Sequence, residues 1–130
     1  MITGIVVTHG NLAEELLETA RIVFGDFGNC YAVSNVSKSP HALIAELQKI
    51  INSYGDTPTI IFVDYFGGSC THACLSLQQN TDNIRIISGV NLPMLVVFLN
   101  KRNETGQDDL ADELIIKGQG SIKRIELEDL

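Results

Sequence analysis

Ile2-Thr3-Gly4-Ile5-Val6-Val7-Thr8-His9-Gly10-Asn11-Leu12-Ala13-Glu14-Glu15-Leu16-Leu17 begins as a near-continuous apolar run and then changes period. Ile2 to Val7 reads as a strand buried on both faces, the pattern of a parallel sheet covered by helices. Leu12, Leu16, Leu17, Ala20 and Val23 then recur at helical spacing, so an amphipathic helix is expected over Gly10 to Phe24, closed by Gly25 and Gly28. His9 stands at the junction. Strand-to-helix junctions in α/β folds lie at the carboxyl edge of the sheet, beside the free N–H groups and positive end of the next helix. An imidazole there is placed to hold a phosphoryl group.

The alternation repeats outward from this stretch. Cys30 to Val36 is the second expected strand; Ser39-Pro40 supplies a helix cap and first turn, and Leu43, Leu47, Ile50 and Ile51 form the buried stripe. Gly55 to Pro58 breaks the chain before a third strand, Thr59 to Val63, which ends in Asp64 ahead of the Gly67-Gly68 turn and a helix from Ser69 to about Gln79. Ile84 to Ser88 is the fourth strand. Asn91-Leu92-Pro93 opens a helix over the apolar Met94 to Leu99, and another is expected from about Gln107 to Ile116. Ile122 to Leu127 alternates in the manner of a last strand.

Strands alternating with helices predict a three-layer α/β/α sandwich with a mostly parallel sheet of four strands, plus a short C-terminal edge strand expected to lie antiparallel. Ligands on such sheets bind at the carboxyl ends of strands, where both His9 and Asp64 are expected. Two chemically useful residues distant in sequence thus become expected neighbours in space.

With 130 residues, 45% of them hydrophobic and 19% charged, the chain has the balance of one globular domain, expected to span residues 1–130. No apolar run is long enough to span a bilayer, and Ile2 to Val7 lacks the basic flank of a signal peptide, so a cytoplasmic location is the expectation. The net charge of −7 argues against nucleic acid and anionic membrane as partners and suits a basic protein better. Cys30, Cys70 and Cys74 form no CxxC pair and are expected to be free thiols. Cys70 and Cys74 share a helical face, but His72 between them points elsewhere, so neither a metal nor a cofactor is expected. His41, just past a helix cap, reads as a surface residue.

A neutral imidazole is a good nucleophile towards phosphorus and a good leaving group, which makes phosphohistidine a carrier that can be loaded and unloaded. A carboxylate accepting from one ring nitrogen fixes the tautomer, leaves the other nitrogen's lone pair facing outward and stabilises the cationic ring. Asp64 is the candidate for that role. Gly67 and Gly68 allow close backbone approach, and the helix beginning at Ser69 offers N–H groups, including that of Cys70, with the Ser69 hydroxyl as a further donor. Each piece also has a plain reading. The glycine-serine turn can be a helix cap, Asp64 a turn residue, His9 a surface histidine, and Cys70 a thiol at a helix start.

The residues Ile5 to Leu17 closely resemble the phosphorylation-site segment of the mannose/fructose-type enzyme IIA domains of the bacterial sugar phosphotransferase system. Val63-Asp64-Tyr65-Phe66-Gly67-Gly68-Ser69 resembles that family's second motif, and Gly89-Val90-Asn91-Leu92-Pro93-Met94-Leu95 its third. The resemblance implies a phosphocarrier: His9 accepts a phosphoryl group from the phosphocarrier HPr and passes it to a histidine of a IIB domain during sugar uptake. Asp64 orients His9, Ser69 donates to the phosphoryl group, and Glu14 and Glu15 are available to a basic face of HPr. The membrane components IIC and IID are reached through IIB. A homodimer is also implied, with Ile122 to Leu127 joining the partner's sheet. The family usually continues Gly-Gly-Ser with Pro and, two residues later, Asn, where this chain has Cys70 and His72. Two further readings stand beside transport: a regulatory module switched by phosphorylation of His9, and the phosphoryl donor subunit of a dihydroxyacetone kinase.

Overall fold

A computed structural model describes residues 1–130. Its strands are β1 (Thr3–Thr8), β2 (Cys30–Ser34), β3 (Thr59–Val63) and β4 (Ile84–Ser88), and its helices are α1 (Leu12–Phe24), α2 (Pro40–Asn52), α3 (Gly68–Gln78), α4 (Leu92–Lys101) and α5 (Gln107–Gly120). The four strands form one sheet in the order β2-β1-β3-β4, with every neighbouring pair parallel. The chain steps from β1 to β2 in one direction and then returns past β1 to β3. The reversal puts the topological switch point between β1 and β3, where crevices open in such sheets.

Alternate residues of the central strands feed two cores. Val6, Ile60 and Phe62 pack with Ala13, Leu17 and Ala20 of α1, Phe98 of α4 and Leu110 and Leu114 of α5. Ile5, Val7, Ile61 and Val63 pack with Leu43 and Leu47 of α2 and Ala73 and Leu77 of α3. Every residue of β1 and β3 is buried, the threonines at their ends along with the apolar residues between them. Gly4 has a packing reason: a Cβ there would lie 2.7 Å from the Phe98 ring, which closes edge-on against Phe62. Arg102 is buried behind α4, donating to the carbonyls of Gly28 and Asn29 at 2.6 and 3.2 Å and so tying the helix end to the loop before β2. No helix is long and apolar enough to cross a membrane.

Several boundaries shift for local reasons. Helix α1 starts at Leu12 rather than Gly10, because Gly10 has φ +58°, a left-handed turn incompatible with a right-handed helix. β2 stops at Ser34, two residues early, where Asn35 turns away towards the neighbouring loops and Ser37 enters φ +57°. The larger difference is at the C-terminus. Ile122 to Leu127 is not a strand in this single chain: residues 122–126 carry no regular structure and Leu127–Asp129 is a short 3-10 turn. Ile122, Ile125 and Leu127 stand 83, 75 and 82% exposed. Alternation specifies a side to be buried, not a strand to pair with, and this segment pairs with neither edge of the sheet.

Candidate functional site

The site is assembled from the carboxyl ends of three adjacent strands. Thr8, the buried last residue of β1, accepts the Ala13 N–H on its hydroxyl at 2.7 Å and caps α1 from inside the strand. That leaves His9 to turn outward, 36% exposed at its side chain. Across the switch point, Val7 is in register with Val63, which brings Asp64 beside His9. One carboxylate oxygen, Oδ2, accepts both the His9 backbone N–H at 3.0 Å and ring Nδ1 at 2.9 Å. The other, Oδ1, accepts the Tyr65 N–H at 3.1 Å.

An ionised carboxylate only accepts, so Nδ1 carries the ring proton and the Nε2 lone pair is free. The Tyr65 ring stacks on the imidazole with centroids 5.1 Å apart and planes 22° from parallel. Burial pushes the Asp64 carboxyl upward, but the hydrogen bonds from the His9 backbone and ring, joined by the His9 charge once the ring is cationic, outweigh it, and the group sits below the ordinary carboxylate range. Asp64 is therefore charged wherever the protein works near neutrality.

Nε2 faces the glycine turn. A Cβ built on Gly68 would stand 3.5 Å from Nε2 and 3.5 Å from the Tyr65 hydroxyl, and Gly68 has φ +76°. Helix α3 begins at Gly68, so the N–H groups of Gly68, Ser69 and Cys70 lie in its first turn, without acceptors inside the helix. Gly67 contributes the turn, φ +112°, while its own N–H donates to the Thr71 hydroxyl at 3.0 Å. Thr71 in turn donates to the Tyr65 carbonyl at 3.3 Å, bracing the loop.

Asn35, just past β2, completes the constellation and was missed by the sequence reading. Its backbone N–H donates to the Thr8 carbonyl at 3.1 Å, its side-chain oxygen accepts the Gly10 N–H at 3.3 Å, and its side-chain N–H donates to Ser69 Oγ at 3.4 Å. One amide thus bridges the His9 loop and the serine turn. Because Ser69 Oγ accepts from Asn35, its own proton is free for another acceptor. The available signal was position: a polar residue at the carboxyl end of a strand adjacent to β1.

Cys70 is fully buried, with Sγ 4.0 Å from His9 Nδ1. Burial and the nearby Asp64 charge raise its pKa, and Cys74 is pushed up to about 12 by burial and Cys70, so neither thiol is a ready thiolate nucleophile. His72 and His41 are exposed and stand outside the constellation. The loops carrying the site also expose Val36, Tyr65 and Phe66, and α1 exposes its first residue, Leu12.

A parallel sheet whose switch point holds an imidazole against a carboxylate, opposite a glycine turn and an open helix start, defines an α/β domain built around an oriented histidine. The chain belongs to the family described as PTS system fructose IIA component, which matches residues 3–115. The family's members are components of the sugar phosphotransferase system. The chain is 32% identical over 115 residues to the sorbose-specific EIIA component of Klebsiella pneumoniae, covering 88% of this chain and 84% of that one. It is 32% identical over 113 residues to the mannose-specific EIIAB component of Escherichia coli K12, covering 85% of this chain but only 34% of that longer protein. The mannose/sorbose specific IIA subunit from Enterococcus faecalis superposes with a TM-score of 0.86 at 25% identity, over 98% of this chain and 97% of that one.

Proposed function

We propose that the chain is a phosphocarrier of sugar uptake, accepting a phosphoryl group from HPr on Nε2 of His9 and passing it to a histidine of a IIB domain. The Nε2 lone pair attacks phosphorus, the phosphorus–nitrogen bond to the donor ring breaks, and its electron pair returns to the donor nitrogen. His9 then carries positive charge, which Asp64 Oδ2 stabilises through the Nδ1 proton. Transfer to IIB is the same step in reverse, with His9 as leaving group. The observation that carries this reading is the double use of Asp64 Oδ2 by the backbone and ring of His9, with Nε2 left facing the Gly68 turn.

The first-turn N–H groups of Gly68, Ser69 and Cys70 and the Ser69 hydroxyl hold the phosphoryl oxygens, with Gly67 shaping the turn and Asn35 aiming the hydroxyl. Leu12, Val36, Tyr65 and Phe66 form an apolar rim for partner docking, and Glu14 and Glu15 meet the basic face of HPr. Residues 1–130 act as one such domain in the cytoplasm, reaching the membrane components IIC and IID through IIB. The exposed Ile122 to Leu127 segment adds antiparallel to the sheet edge of a second copy, giving a homodimer and covering the apolar side chains it leaves bare in the single chain.

The test is mass spectrometry after incubation with phosphoenolpyruvate, enzyme I and HPr, beside His9→Ala. The reading expects an acid-labile gain of one phosphoryl group, absent from the variant. No gain with a competent donor, or a gain that survives in His9→Ala, overturns it.

A further inference from the structure

We propose that His9 Nδ1, Asp64 Oδ2 and Cys70 Sγ form a binding site for a soft divalent cation, zinc by its donor set, and that filling this site switches off phosphoryl acceptance at Nε2. The three donor atoms lie within 4.8 Å of one another, with Nδ1 2.9 Å from Oδ2 and 4.0 Å from Sγ. Zinc bonds of about 2.0–2.3 Å at tetrahedral angles hold neighbouring donors between those two separations. A small opening of the Nδ1–Oδ2 pair and a small closing on Sγ complete the tripod, with water as the fourth ligand. Mixed nitrogen, sulfur and carboxylate donors favour zinc over magnesium or calcium, which take oxygen sets.

The surroundings already orient the ligands. The Tyr65 N–H on Oδ1 and the His9 N–H on Oδ2 fix the carboxylate, and the stacked Tyr65 ring holds the imidazole plane. Cys70 is itself buried, but His9 and Asp64 are 36 and 10% exposed at their side chains, so the ion meets those two ligands first and the thiol of α3, 4.0 Å from Nδ1, last. The sequence spacing draws the eye to Cys70, His72 and Cys74 as a set; the fold takes only Cys70 from it and supplies the other two ligands from the ends of β1 and β3.

The consequence for the ring follows from proton balance. The ion takes the Nδ1 lone pair and the thiolate of Cys70. The thiol proton leaves to water, and the ring proton moves from Nδ1 to Nε2. Nε2 then bears a hydrogen and has no lone pair to attack phosphorus. Phosphorylation at Nε2 keeps the proton on Nδ1 and so excludes the ion in return. The switching half rests on the phosphocarrier reading; the binding half does not.

The experiment titrates the reduced full chain with Co2+ alone and reads the thiolate-to-cobalt charge-transfer band with the visible bands of a four-coordinate ion. One equivalent is expected to develop both bands, Zn2+ to displace them, His9→Ala and Cys70→Ala to lose the charge-transfer band, and Cys74→Ala to keep it. His9 is partly exposed, so its variant remains informative even where Cys70→Ala disturbs the core. Absence of the band, or its survival in Cys70→Ala or His9→Ala, overturns the site. Acceptance from pre-phosphorylated HPr is then measured with and without one equivalent of Zn2+. Loss of acceptance restored by a chelator is expected, and undiminished acceptance by the loaded protein overturns the switch. A metal-free protein that accepts nothing sinks the phosphocarrier reading instead and leaves the Co2+ result standing.

Discussion

Gly68→Ala separates backbone strain from blockage of the ring. At φ +76° an L-residue costs about 1–2 kcal/mol, and removing glycine from the unfolded chain returns ~0.4–1 kcal/mol. A net destabilisation of roughly 1 kcal/mol lowers the melting temperature by a few degrees in a domain of this size. The second effect is steric. The new Cβ stands 3.5 Å from Nε2, at van der Waals contact, in the space a phosphoryl group on that nitrogen must occupy. Accommodating both requires the ring to swing off Asp64, at the expense of a charge-assisted hydrogen bond of about 1.5–3 kcal/mol. That converts to acceptance slower by roughly 10- to 150-fold. The assay is the initial rate of phosphoryl gain from phosphorylated HPr, beside a thermal melt. Gly89→Ala is the control: its φ is +84° with nothing within 4 Å of the added Cβ, so it melts lower and keeps its rate. A Gly68→Ala protein accepting as fast as the parent would refute the placement of the acceptor nitrogen against this turn.

Asn35→Ala and Ser69→Ala are each expected to slow acceptance by several-fold, the worth of about 1 kcal/mol. In the double variant the losses do not add, because Asn35 acts through the serine hydroxyl; additive losses refute the bridge. Asp64, with its pKa depressed in the folded state, stabilises the fold above its unfolded pKa of about 4, and the contribution disappears as pH falls through the lower folded value. The melting-temperature gap between the parent and Asp64→Asn should therefore narrow on acidification, and a constant gap from neutrality to strong acid contradicts it. Gly4→Ala drives a Cβ to 2.7 Å from the Phe98 ring and costs about 1–3 kcal/mol by overpacking, read by denaturant midpoint, with Phe98→Leu recovering part of it. Truncation after Ser121 removes the exposed segment, and sedimentation is expected to show loss of a dimer with the helical spectrum kept; an unchanged oligomer assigns the contact elsewhere.

The strands and helices were legible because their signals are local. Ile2 to Val7 and Thr59 to Val63 are apolar but for one threonine each, Thr3 and Thr59, and such runs form strands buried on both faces wherever helices cover both sides. Leu43, Leu47 and Ile51 line one face of α2 by spacing alone, and Ser39 caps that helix on the Ala42 N–H at 3.1 Å. His9 and Asp64 were visible as residues at strand ends for the same reason. Ile122 to Leu127 carried an alternating pattern too, yet no strand formed: a pattern of this kind names no pairing partner, and the segment pairs with neither edge strand, β2 or β4.

By itself the sequence determined where the chain alternates, which faces are apolar, and that a histidine and an aspartate end their strands. Periodicity, capping and turn chemistry act over a few residues and need no knowledge of distant neighbours. Only the tertiary structure decided that β1 and β3 are adjacent, so that residues 55 apart share a carboxylate oxygen. It also decided that Nε2 faces Gly68, that Asn35 reaches Ser69 from a third strand, and that Cys70 meets the His9 ring at Nδ1 while His72 stays exposed outside the site. Those meetings depend on strand order and helix rotation, set by how both cores pack at once and by no single segment.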